Sequence, residues 1–192
     1  HYLLQFFFNL RHDFFDSHPK WYWYLPLFLL MWGILIFVSW LVKKMPLITG
    51  GGIPQTRGVI NGRVAYKHPF IEVIAKFVGG ILALSTGLSL GREGPSVQIG
   101  SYVGCLVSKW GRVLAGERKQ LLAAGAGAGL AAAFAAPLAS SLLVIESIER
   151  FDAPKTAITT LLAGVVAGGV ASWLFPVNPY FQIDAMVPGM TF

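Results

Sequence analysis

Charge is scarce in this sequence. Only 12% of its 192 residues are Asp, Glu, Lys or Arg, against about a quarter in soluble domains. With 55% hydrophobic residues and a mean hydropathy of +0.61, a water-soluble fold would be left with large apolar patches. Lipid surroundings remove that difficulty. Cysteine is nearly absent: Cys105 stands alone in an apolar stretch, which excludes an intrachain disulfide and reads as a small buried thiol. The four histidines, His1, His12, His18 and His68, are scattered, and none has a partner at metal-ligand spacing. Ser140-Ser141 lacks the glycine context of a nucleophile elbow and an obvious base. We therefore expect no metal, no cofactor and no enzyme. The chain opens at His1, with no initiator methionine or signal peptide, partway through an apolar run. We expect further sequence ahead of it.

What charge there is has a bias, a formal net +6. In a soluble chain that would raise nucleic acid as a partner. Here the basic residues fall in short loops between apolar runs and read as topology-setting charge, so no nucleic-acid partner is expected. Residues 1–15 read as the end of a helix, followed by a polar loop over 16–20. Trp21 to Val42 is about 22 uncharged residues, enough to span a hydrocarbon core of about 30 Å. It starts in the aromatic belt Trp21-Tyr22-Trp23-Tyr24 and ends on Lys43-Lys44. Arg57, Arg63, Lys67 and His68 extend that basic region, which we assign to the cytoplasmic side. Pro69 to Leu90 is a second spanning candidate, in which Glu72 and Lys76 have the spacing of an i,i+4 ion pair. Ser96 to Val107 is apolar but too short to cross alone. Gly116 to Lys119 reads as a polar loop, with Arg112, Arg118 and Lys119 as interfacial anchors. Leu121 to Ala136 is rich in alanine and glycine, suited to close helix contact. Pro137 restarts a helix to about Ile148, 149–152 breaks it, 155–175 makes a last helix, and the proline-bearing tail is irregular.

Two places break the apolar pattern with glycine ahead of proline: Gly50-Gly51-Gly52-Ile53-Pro54 and Gly91-Arg92-Glu93-Gly94-Pro95. Broken helices within a membrane point to a binding site near its midplane. The first turn of a helix has free N–H groups and a partial positive charge, and glycine lets a ligand approach that backbone. Two such starts aimed at one point would bind an anion without a full charge, weakly enough to release it. The candidate anion-binding residues are Gly50, Gly51, Gly52, Ile53, Arg92, Glu93 and Gly94. The carboxylate of Glu93 lies among the same N–H groups, so it can occupy an anion position and vacate it on protonation. This makes Glu93 a candidate gate and proton carrier; on spacing alone, a surface pair with Arg92 is the competing reading.

The run Gly91-Arg92-Glu93-Gly94-Pro95-Ser96-Val97-Gln98-Ile99-Gly100 resembles the signature of the CLC family of chloride channels and proton-coupled anion antiporters. Gly50 to Pro54 resembles that family's first anion-binding loop, and Gly125 to Leu138 its small-residue stretch after the signature. The three occur in the family's order, within about 21–175. The resemblance implies an all-α membrane fold of tilted and broken helices, with residues 1–192 as the first of two inverted halves, truncated at its start and lacking the second repeat. It also implies chloride as the ligand, Glu93 as the gate, a homodimer with one pore per subunit, and a multi-pass position in the cell membrane among lipid. Three departures stand out. Gly51 replaces the serine whose hydroxyl helps hold the central anion. Ser147, preceded by Glu146, stands where antiporters carry an internal proton-transfer glutamate, so Glu146 is the remaining proton candidate there. The second half's anion loop and tyrosine are not recognisable. Movement of chloride or a similar small monovalent anion, by channel or antiport, is the reading; a non-conducting membrane scaffold or phosphate-binding subunit is the alternative.

Overall fold

A computed structural model describes residues 9, 12, 13, 24–86, 88, 91, 93–149 and 154–174. Those residues form helices joined by short turns, with no strand among them. The order is α1 (Tyr24–Lys44), a 3-10 turn (Pro46–Ile48), α2 (Ile53–Ile60), α3 (Pro69–Ser85), α4 (Glu93–Trp110), α5 (Ala115–Phe134), α6 (Pro137–Val144), a π turn (Ile145–Glu149) and α7 (Pro154–Leu174). Prolines open α3, α6 and α7, where a missing N–H costs nothing. Among the described residues, two helices are long and apolar enough to cross a membrane, Leu25–Lys44 and Pro154–Leu174.

The centre of the bundle is the seam between α4 and α5, which also packs on α7. Small residues bring the backbones into direct contact. A Cβ on Gly100 would run into the Gly125 carbonyl, one on Gly125 into the Gly100 carbonyl, one on Gly104 into Leu121, and one on Gly129 into Ser96. Apolar solvent gives little drive for helices to associate, so close packing of this kind holds them. Around the seam lie the buried residues Val97, Tyr102, Cys105, Leu122, Ala126 and Leu130. By contrast α1 and α7 expose large apolar side chains, among them Phe28, Trp32, Ile36, Leu162, Val166 and Trp173.

Several boundaries differ from the sequence reading. The second candidate span stops at Ser85 rather than Leu90, because the Ser85 and Thr86 hydroxyls turn back onto the carbonyls of Leu82 and Ala83. The short apolar run Ser96 to Val107 is part of an 18-residue helix, Glu93–Trp110. Residues 116–119 lie in the first turn of α5, not in a loop, and the half-buried Arg118 places Nη2 3.5 Å from the Cys105 sulfur. Cys105 is buried and unpaired. The helix restarted by Pro137 widens to a π turn at Ile145. Trp21–Trp23, His18, residues 150–152 of the polar break, Phe175 and the tail from Pro176 lie outside the described residues, as does most of the 1–15 segment, in which Asn9, His12 and Asp13 are helical.

Candidate functional site: the crossing of two helix starts

Gly52 caps α2 with φ +88°, a left-handed conformation that suits a residue without a Cβ. Space demands glycine there as well: a Cβ would stand 2.6 Å from Gln98 Oε1 and 2.9 Å from the Gly94 carbonyl oxygen. Gly94, in the first turn of α4, is equally confined, since a Cβ there would run into the Gly51 carbonyl. The two glycine-bearing helix starts therefore touch. Gly52 and Gly94 are buried, while Gly50, Gly51 and Glu93 are exposed and Ile53 is half-buried. Among the described residues, the amides of Gly51, Gly52 and Ile53 have no hydrogen-bond acceptor. Arg92 lies outside the described residues.

The carbonyls of the first loop are taken instead. Gln98 Nε2 donates to Leu47 O at 2.6 Å. Lys76 Nζ donates to Ile48 O and Gly50 O, both at 2.7 Å. Gln55 Nε2 donates to Thr49 O at 2.9 Å, and the Thr56 amide to Gly52 O at 2.9 Å. A carbonyl oxygen repels an anion, and each of these is turned to a donor. A loop held by its oxygens leaves its N–H groups to other partners. Lys76 is buried at 5% exposure, so its charge sits directly behind the loop.

The expected Glu72–Lys76 pair does not form. Lys76 reaches the loop, and Glu72 Oε1 accepts from the His68 amide at 3.1 Å, closing the first turn of its own helix. Two backbone groups in need of partners win over one side-chain pair. Glu146 is exposed on the π turn, which packs on α2. Below the crossing lies a polar cluster of Thr56, Tyr66, Ser101 and Tyr102. The Tyr66 hydroxyl donates to Ser101 Oγ at 3.4 Å, and its ring centroid is 4.1 Å from that of Tyr102. Burial pushes the Tyr66 phenol above its ordinary range, so it stays protonated.

Sequence reasoning placed the glycines and missed the residues that hold them: Gln55, Lys76 and Gln98. A lysine in the middle of an apolar run was the available signal for Lys76.

The family model for voltage gated chloride channels matches residues 34–191. This chain belongs to the CLC family. Among curated CLC relatives, an H(+)/Cl(-) exchange transporter ClcA of Vibrio cholerae serotype O1 is 38% identical over 154 residues, covering 77% of this chain and 33% of the relative. A ClcA of Citrobacter koseri is 38% identical over 154 residues, 78% of this chain and 32% of the relative. A solved structure described as a slow cyanobacterial Cl-/H+ antiporter superposes with a TM-score of 0.75 at 33% identity, covering 88% of this chain and 40% of the other. The chain thus spans about a third of the length of the curated relatives it matches. The relatives are named as transporters.

Proposed function

We propose that this chain supplies part of a pathway that moves chloride, or a similar small monovalent anion, across the membrane. The anion site is the crossing of the α2 and α4 starts, built from Gly50, Gly51, Gly52, Ile53, Arg92, Glu93 and Gly94. The observation that carries this reading is the contact of Gly51 with Gly94 inside a loop whose carbonyls are drawn off by Gln98, Lys76 and Gln55. Unpaired amides and a helix start attract an anion without binding it too tightly to pass. Glu93 is exposed at the first position of α4, where its carboxylate competes with the anion for the same amides. It is the gate, and its protonation opens the path.

Residues 1–192 act as the first of two inverted halves, within a homodimer that carries one pathway per subunit in the cell membrane. The apolar faces of α1 and α7 supply surface for lipid. No cofactor enters the reading. The names of the relatives favour proton-coupled exchange over a channel.

The test is isotopic chloride uptake by liposomes containing the protein. Uptake is expected, with a pH dependence that Glu93→Gln removes. A Glu93→Gln variant that keeps the parent's pH profile would falsify the gate. Phosphate binding with no chloride uptake would establish the scaffold alternative instead.

A further inference from the structure

Glu72 is a carboxylate within the bundle at 6% exposure. Its Oε1 accepts from the His68 amide, but its Oε2 is buried with no hydrogen-bond partner. The oxygen Oε1 of Gln98, itself fully buried, is likewise without a partner. The two side chains are linked through Tyr102. The Tyr102 hydroxyl lies alongside the Glu72 carboxyl without satisfying its Oε2 and accepts from Gln98 Nε2 at 3.2 Å. Gln98 in turn holds Leu47 O and lies against Gly52. A continuous polar strand therefore runs from the first turn of α3 to the glycine crossing, through residues that are otherwise packed in apolar surroundings.

A buried carboxyl oxygen without a donor is costly in such a place. Within a membrane segment it is a functional group by default. A proton on Oε2 removes the charge and converts an acceptor into a donor. The groups facing Glu72 are Tyr66 from the loop and Tyr102 from α4. Lys76, one turn further along α3, is committed to the glycine loop.

We propose that Glu72 is the internal proton-exchanging carboxyl of this chain, coupled to the anion crossing through Tyr102 and Gln98. It follows the basic loop assigned to the cytoplasmic side. There it takes a proton from the inner solution onto Oε2 and gives that proton up to the pathway, returning to the carboxylate. No heavy-atom bond changes. The inference rests on the anion-pathway reading above and assigns to Glu72 the role that position 147, a serine, does not fill.

The experiment compares chloride flux and chloride-driven proton movement in liposomes containing the protein or its Glu72 variants. Glu72→Gln is expected to keep chloride flux and lose proton movement. Glu72→Asp retains an acid and is expected to keep both, with the pH midpoint of proton movement displaced; it carries the test should Glu72→Gln not fold. Proton movement that survives in Glu72→Gln, or a Glu72→Asp variant with the parental pH profile, overturns the assignment while leaving the anion pathway standing. A parent that moves chloride but no protons does the same. A parent that moves no chloride overturns both readings.

Discussion

Helix α4 has two contrasting sides. One carries Gly100 and Gly104 and meets α5 backbone to backbone. The other carries Gln98 and Tyr102 and meets the glycine loop and the buried polar cluster. The first is held by dispersion between closely approaching main chains. The second is held by donors aimed at named carbonyl oxygens. A seam of the first kind tolerates no added atoms but is indifferent to charge. A site of the second kind has room in places but depends on individual polar groups.

The contrast is broken most severely on the seam. A Gly100→Val substitution puts a branched side chain where even a Cβ meets the Gly125 carbonyl, and is expected to destabilise by about 3 kcal/mol or more. Thermal unfolding in detergent checks it, and a variant as stable as the parent would remove the close-packed seam. At the crossing, Lys76→Met keeps the apolar stem but leaves Ile48 O and Gly50 O without their donor. Hydrogen bonds to a charged donor are worth about 1.5–3 kcal/mol, so the loop loosens and chloride affinity falls on the order of tenfold, about 1.4 kcal/mol. Chloride titration calorimetry reads the loss. An unchanged affinity would mean that the loop keeps its shape without its anchors.

How much of this was legible in the sequence follows the same division. The seam is written in local composition: alanine and glycine crowd 121–136, and small residues at helical spacing imply close contact. The two glycine starts were legible for a similar reason, since Gly52 and Gly94 stand one or two residues ahead of a proline at helix beginnings. The anchors were not. Lys76 reaches acceptors 28 and 26 residues away, and Gln98 one 51 residues away, so no local pattern announces them. The Glu72–Lys76 spacing even suggested the wrong partner, because a pairwise rule ignores backbone carbonyls brought in by the fold. Helix ends failed on a smaller scale: polar residues 116–119 read as loop, yet they suit an exposed first helical turn.

The mildest change sharpens the contrast most directly. Gly51 differs from every seam glycine named above, because a Cβ placed on it meets nothing within 4 Å, and its φ lies outside the left-handed region. Gly51→Ser is therefore expected to leave the unfolding midpoint unchanged. Its hydroxyl adds one donor beside the free amides, worth about 1 kcal/mol, or about fivefold tighter chloride binding. The neighbouring Gly52→Ser serves as the control: at φ +88° and 2.6 Å from Gln98 Oε1, the new Cβ must displace Gln98 from Leu47 O. If the two serines behave alike in calorimetry, the anion does not approach the loop from the open side of Gly51. If only Gly51→Ser binds more tightly, the open space beside it is where the anion sits.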